Sequence, residues 1–538
     1  MKLNSKLAAG ILTTLTMCAT LSPASAFAHD SDMHMGNSMM PTGVLAQATA
    51  VSTTPAANLR VALDELFSEH ANLAIIAMQK GYDGAPDFAD AAAALNKNTD
   101  DLSSAIASVY GDAAGAQFKT IWSSHIGYFV NYVTATVKKD DAGKQQAIRD
   151  LAEYRDEQAK FLADANPNLN EKAVADGLQM HIDGLLAAFN AYVNQDAAAE
   201  QANLRMAHEH MFMTGDGIST AIVKQFPEKF NNTMTASPSV DLRVVLDRLL
   251  SEHASLAILA MQKGIDGKQD FGTVAATLNA NTDDLSAAVG SVYGADAGAQ
   301  FKKIWSSHIG YFVDYVKATA AKDSAGQQKA VANLDEYRTE QAKFFAGADP
   351  YMNETAIREA LNVHVQELLN AFNDYVNKDY KGTYENYQTA YDHMFMTGQS
   401  LSTAIVAQYP ANFGGTVANL WVDNTKFTVN GTEKWFDVAP FVQGDRTFVS
   451  LRALSETVGA KVDWAGETGT VTVTAGSDVL KFWIGKDYMT FNGQTRQIGT
   501  PAFIVNDRTQ IPLRFIAEQL GWNVDWNGGT NSITLTKF

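Results

Sequence analysis

Eight histidines of this chain fall into two sets of four, His70, His125, His181 and His210, then His253, His308, His364 and His393, and each member of the second set lies 183 residues after its counterpart. The chain therefore carries one module twice, with no net insertion between the four positions. The copies agree on "SEHA" from Ser68 and Ser251, on "IWSSHIGYFV" from Ile121 and Ile304, and on "HMFMTG" from His210 and His393. Whatever fold the module takes must keep four imidazoles where their neighbours are free to drift.

Hydrophobic spacing identifies the fold. Leu59, Leu63, Leu66, His70, Leu73 and Ala77 follow alternating steps of four and three, the seam of a packed helix. His125 takes the same kind of slot among Phe118, Ile121, Tyr128 and Tyr132, His181 among Val174, Leu178, Leu185 and Ala188, and His210 among Ala207, Thr214 and Ile218. Two further seams, Phe88-Leu95-Leu102-Val109 and Ala147-Leu151-Tyr154-Phe161, lack histidine. The expectation is a multidomain α plus α+β chain: two tandem all-α bundles of about six helices each, over 57–227 and 240–410, with linkers at 228–239 and 411–418, then a small α+β domain with an internal repeat over 419–538. Repeats joined in this way are expected to fold as separate units.

The N-terminus reads as a secretory signal over 1–28: Lys2 and Lys6, an apolar run from Leu7 to Leu21, then small residues offering cleavage after Ala26 or Ala28. The single cysteine, Cys18, lies in that run, so the remainder has neither disulfide nor thiolate ligand. No later run is long and apolar enough to span a membrane, which points to a secreted or wall-associated product. The formal charge of −18 argues against nucleic acid as a partner. Residues 29–56 show no period and read as a flexible Met/His-containing leader.

The last 120 or so residues change character. Strand-like runs such as "KFTVNG", "TGTVTVTAG" and "NSITLTKF" alternate with turn signals, and "RTFVSLRALSETVGAKVDW" from Arg446 answers "RTQIPLRFIAEQLGWNVDW" from Arg508, an offset of 62. This pattern resembles the copper amine oxidase N-terminal-like, or stalk, domain of secreted bacterial proteins. The resemblance implies an accessory or surface-attachment module, with cell-wall components as possible partners. It does not imply amine oxidation. The oxidase needs a tyrosine in an Asn-Tyr-Asp/Glu setting, whereas Asn131-Tyr132 and Asn386-Tyr387 are followed by Val and Gln, and the region has no His or Cys.

The eight seam histidines are the candidate metal ligands. A buried polar group without a partner costs roughly 1–3 kcal/mol, so four per module are better explained by a shared cation than by coincidence. Carboxylate-bridged iron is poorly supported, because the positions three before each histidine are Phe67, Trp122, Leu178 and Ala207. Imidazole ligation favours copper or zinc and admits iron or nickel. Met213 and Met396, three residues after His210 and His393, are possible thioether ligands or core fillers. In the leader, His29 at position three of a chain cut after Ala26, with Met33, His34 and Met35, offers a further Cu(II) or Ni(II) set. Glu69 and Glu252 read as solvent-facing charges. Tyr128, Tyr132 and Tyr154, repeated as Tyr311, Tyr315 and Tyr337, are core residues able to partner ring nitrogens. His208 has Tyr391 as its counterpart and is left out of the site.

No nucleophile-base pair, phosphate loop or His-Glu-x-x-His motif appears, so the pattern points to a metal-binding protein for sequestration, buffering or delivery. The alternatives are a structural or adhesive surface protein with histidines only in its core, and an oxygen-reactive or haem-binding metalloprotein.

Overall fold

The computed structural model describes residues 42–457 and 459–538, which fall into two compact units: residues 53–348 with 352–401, and residues 42–52 with 349–351 and 402–538. The signal segment and the leader residues His29, Met33, His34 and Met35 lie outside the described residues.

The first unit holds both repeats. Repeat one comprises six helices, α2 (Pro55–Asp83), α3 (Phe88–Tyr110), α4 (Asp112–Lys138), α5 (Asp141–Ala165), α6 (Glu171–Val193) and α7 (Ala197–Gln225); α1 precedes them at Thr42–Ser52. Repeat two matches them with α8 (Pro238–Ile265), α9 (Phe271–Tyr293), α10 (Ala295–Ala320), α11 (Ser324–Ala348), α12 (Glu354–Asn377) and α13 (Tyr380–Gln408). Start signals recur with the repeat. Thr54 and Ser237 cap α2 and α8 by accepting from Ala57 N and Val240 N, each followed by a proline whose missing N–H costs the first turn nothing. Asn170 and Asn353 cap α6 and α12 in the same manner. Gly111 and Gly294, at φ of 88° and 94°, make the one-residue corners that send α4 and α10 back along α3 and α9.

The repeats do not stand apart on their linker. Ala57, Val61, Phe212, Val240, Val244, Tyr391 and Phe395 form one buried cluster across them. Phe212 stacks on its own counterpart Phe395, with ring centroids 6.1 Å apart and planes 2° from parallel, as expected where two like modules meet about an approximate twofold axis. Ser255 and Tyr387, both in repeat two, are joined at 2.8 Å, while Tyr391 of repeat two donates to Ser68 of repeat one at 2.7 Å. The expectation of separately folding repeats therefore gives way to one shared core. An isolated repeat would expose the apolar surface that this cluster buries.

The second unit contains α1, α14 (Leu451–Thr457), α15 (Leu513–Gln519) and fourteen described strands in three sheets. The 62-residue offset is visible in its pairing. Strands 446–450 and 508–512 are equivalent under that offset and pair antiparallel, Val449 opposite Ile511, so the local dyad passes between them. Asn430-Gly431 and Asn492-Gly493, all at positive φ, close equivalent two-residue hairpins. Inward Val471 and Val473 alternate with partly exposed threonines, the period-two pattern of a half-buried strand. Helix α1 corrects the reading of residues 42–52 as flexible leader. Val44 and Ala48, one turn apart, are buried within this unit, and Gln47 donates to the Gly521 carbonyl at 2.9 Å. Those partners lie hundreds of residues away, so local composition did not reveal the helix.

Candidate metal centres

In repeat one the histidines of α2, α4 and α6 converge. His70 and His125 place their Nε2 atoms 3.1 Å apart, and with His181 they form a group whose ligand atoms all lie within 4.8 Å of one another. Repeat two reproduces it, with His253 and His308 Nε2 atoms 3.2 Å apart and His364 completing the group. All six rings are buried. At metal–nitrogen distances of about 2.0–2.1 Å, tetrahedral ligand atoms stand about 3.3 Å apart. The Nε2 pairs are already close to that spacing.

The fourth histidine of each set stays outside the triad. His210 Nε2–H donates to the Gly177 carbonyl at 2.9 Å, and His393 Nδ1 lies 3.5 Å from Glu367 Oε1. His210 still neighbours His181 closely enough to disfavour its protonation. The sequence pattern thus brought together six of the eight seam histidines and left two at the margin. His208 packs where the repeats meet, between Asn72 and the Arg248 carbonyl.

Ring orientation follows from the backbone. His125 Nδ1–H donates to the Trp122 carbonyl one turn earlier, and His308 does the same to Trp305, so their Nε2 lone pairs face inward. His181 and His364 have no hydrogen-bond partner on either ring nitrogen. Burial holds every triad imidazole below its ordinary pKa, His125 and His308 at about 3, and the neighbouring rings lower His70, His181, His253 and His364 further. Buried, neutral imidazoles, with the Nε2 lone pairs of His125 and His308 facing inward, are the protonation state from which a metal is bound.

Aromatic rings wall the triads. Trp122 lies 4.9 Å from His70, and Tyr154 stacks on His125 at 4.6 Å and 23°; Trp305 and Tyr337 repeat both contacts. The tyrosines do not serve as hydrogen-bond partners to the rings. Both hydroxyls are buried without a partner, as are Trp122 and Trp305 Nε1 and the amides of Gln158 and Gln341, one turn beyond the tyrosines.

Glu69 and Glu252 are buried, not solvent-facing, because α3 and α9 cover them. Asn98 Nδ2 donates to Glu69 Oε2 and Asn281 Nδ2 to Glu252 Oε2, both at 2.7 Å, and each asparagine neighbours the first histidine of its triad. The sequence carried a signal for both asparagines. Asn98 sits between Leu95 and Leu102 at seam spacing, and Asn281 repeats it after 183 residues. A polar residue kept twice in an apolar seam marks a functional support. Met213 and Met396, in contrast, are neither core fillers nor triad ligands: their side chains are exposed.

Residues 428–535 match the family model of the copper amine oxidase N-terminal domain. No curated protein and no solved structure matches the chain. The match falls wholly in the second unit and leaves both histidine triads outside it. Among the described residues, no helix is long and apolar enough to cross a membrane.

Proposed function

We propose that each repeat holds one transition-metal ion in its triad, His70-His125-His181 or His253-His308-His364, and that the protein sequesters, buffers or delivers that metal outside the cytoplasm. The observation that carries this reading is the unpartnered state of His181 and His364 beside paired Nε2 atoms at 3.1 and 3.2 Å. A buried imidazole without partners costs roughly 1–3 kcal/mol, and a cation shared with its neighbours removes that cost. All-nitrogen ligation favours copper or zinc and admits iron or nickel. Haem fits poorly, since Nε2 atoms this close leave no room for a macrocycle between them. The secretory signal supports an extracytoplasmic location, and the C-terminal domain supplies an attachment module with cell-wall components as its partner class.

Elemental analysis of the untagged full chain after exposure to copper, zinc, iron and nickel tests the reading. The expected result with zinc is two ions per chain, one in His125→Ala and none in His125→Ala/His308→Ala. Wild-type protein that takes up no ion under any loading would overturn it.

One observation favours a second reading, an oxygen-reactive or catalytic centre. Three imidazoles leave a coordination position open, as catalytic sites require, and the Tyr154 and Tyr337 hydroxyls are uncommitted. Azide added to the cobalt-loaded protein distinguishes the two. A change in the visible spectrum supports the open site, and an unaltered spectrum leaves sequestration alone.

A further inference from the structure

Methionine is normally among the more buried residues, yet repeat one exposes Met180, Met206 and Met213 at 56%, 58% and 57%. Met206 and Met213 lie four residues before and three after His210, so both flank it on one face of α7. The α6–α7 seam fixes where Met180 stands. His210 bonds the Gly177 carbonyl, and the nearest atom to a side chain built on Gly184 is Ala207 Cβ at 3.6 Å, so the two helices run antiparallel with Met180 level with residues 207–210. Helical geometry then puts all three methionines on the same edge of that seam.

His210 supplies the inward half of the feature. Its Nε2 carries the proton donated to Gly177, which leaves Nδ1 as a lone pair that is buried and has no partner. His210 is 9% exposed, and it neighbours His181 of the triad. In repeat two the corresponding nitrogen of His393 faces Glu367, whose place in repeat one is taken by Gly184. Met180 and Met206 become Val363 and Thr389 there. Neither Nδ1 has a hydrogen-bond partner, but repeat one sets it beside three thioethers, where repeat two sets it beside a carboxylate and one thioether.

We infer that Met180, Met206 and Met213, with Nδ1 of His210, form a capture site for a soft monovalent cation, copper(I) or its mimic silver(I), at the mouth of the first histidine triad. Thioethers select such ions and bind zinc or other harder divalent ions weakly. Unbranched side chains with three rotatable bonds let sulfurs spaced about 10 Å along α7 close on one ion. An ion taken there stands beside His210, and His210 stands beside His181, so the site leads inward. Its role as a mouth rests on the triad being a metal centre; the capture itself does not.

The test is silver(I) titration of the full chain carrying methyl-labelled methionine, with signals assigned by Met180→Leu, Met206→Leu and Met213→Leu. Each methyl is read separately, so ions taken by Met33 or Met35 do not obscure the result. The expected outcome is that the three methyls shift together, before that of Met234, which is 71% exposed and outside the group. Zinc leaves them unshifted, and His210→Gln abolishes the joint response while a native circular dichroism spectrum shows the fold intact. Shifts that follow exposure alone, with Met234 and Met396 responding at the same silver concentration, would overturn the site. A joint shift in protein whose triads take up no metal would uphold the capture site and overturn the function proposed for the triads.

Discussion

The two repeats are alike inside and unlike outside. Each triad, its Asn98 or Asn281 support, its tryptophan and its stacked tyrosine recur after 183 residues with the same contacts. The groups one layer further out diverge. Arg205 of repeat one grips Glu252 of repeat two through two hydrogen bonds at 2.7 and 2.9 Å and also reaches Asp284, whereas its counterpart Gln388 offers Glu69 a neutral amide in place of a positive charge. Glu65 meets Asp392 across the same interface, where repeat two has Arg248 and repeat one Glu209. Duplication kept the histidine layer and released the layer around it. The inner layer is therefore where the function shared by both repeats resides, and the outer layer is where they have diverged.

The largest effect expected from the shared layer is on acid stability. The triad imidazoles are held below their ordinary pKa of about 6.5, His125 and His308 at about 3. Below that ordinary value the unfolded chain binds protons that the folded chain refuses, so stability rises with pH between about 3 and 6.5 and is lost as pH falls through this window. Each withheld proton contributes up to about 1.4 kcal/mol per pH unit, and six of them by pH 5 approach the 5–15 kcal/mol that stabilises a typical domain. Asp64, Glu65, Glu69, Glu200 and Asp247, all raised mainly by burial, Glu69 and Asp247 to about 8, act in the opposite direction, holding protons when folded that the unfolded chain releases. They offset much of the histidine effect, but the six triad imidazoles, joined by His208, which burial also lowers, outnumber them. Near-ultraviolet circular dichroism should show the metal-free protein unfolding below about pH 5, and the loaded protein releasing its metal in its own acid transition. Unchanged tertiary signal at pH 4.5 in the metal-free protein would contradict the neutral, buried state of the triads. Two separate transitions would show that the repeats are less alike inside than their geometry indicates.

The diverged layer predicts effects of opposite sign at equivalent positions. Burial works against ionised Glu252, but the Arg205 guanidinium prevails and holds its carboxyl below the ordinary value. Burial and then the Asp392 carboxylate push Glu69 up to about 8. Removing the guanidinium in Arg205→Gln strands a buried carboxylate and should cost about 2–3 kcal/mol, less than the full value for a buried pair because Arg205 is partly exposed. Glu252→Gln should also destabilise. Glu69→Gln should be stabilising at pH 6 and more so at pH 8, because the wild-type carboxyl must take up on folding a proton that the unfolded chain has released, whereas glutamine does not titrate. Denaturant unfolding of the three variants at both values checks this. Equal losses for Glu69→Gln and Glu252→Gln would mean that the two carboxyls do the same work despite their different partners.

How much of this was legible in the sequence depends on whether the cause was local. Helix seams follow from spacing, and the six-helix modules were read from them; caps and corners at Pro55, Asn170 and Gly111 agree with those seams in the structure. Histidine convergence was legible as far as seam position determines burial. It did not separate His210 from His181, because which ring turns inward depends on whether a neighbouring carbonyl, here that of Gly177, takes its proton. Glu69 was misread because charge in a helix ordinarily faces water, and only the packing of Asn98 from α3 makes its burial tolerable. The shared core of the repeats was hidden for a related reason. Val61 and Phe212 lie off the seams read for their helices, and nothing local says that their partners lie in the other copy.

The smallest expected effect bears most directly on what the triads hold. The Tyr154 and Tyr337 hydroxyls are buried, lack hydrogen-bond partners, and lie on rings that stack against His125 and His308. Stranding a hydroxyl in this way is unfavourable, so Tyr154→Phe and Tyr337→Phe should each leave the metal-free protein unchanged or stabilise it by up to about 1 kcal/mol, and by the same amount in both repeats. With metal bound the sign can reverse. An ion held by three imidazoles keeps a position for water or another small ligand, and a hydroxyl in the triad's wall is a ready partner for it. Melting curves with and without metal therefore read the site through one oxygen atom. A loss that appears only in the loaded variants places the hydroxyl beside the fourth ligand, whereas a loss of about 1 kcal/mol in the metal-free protein would mean that the hydroxyl already has a partner and that the wall of the triad is not dry.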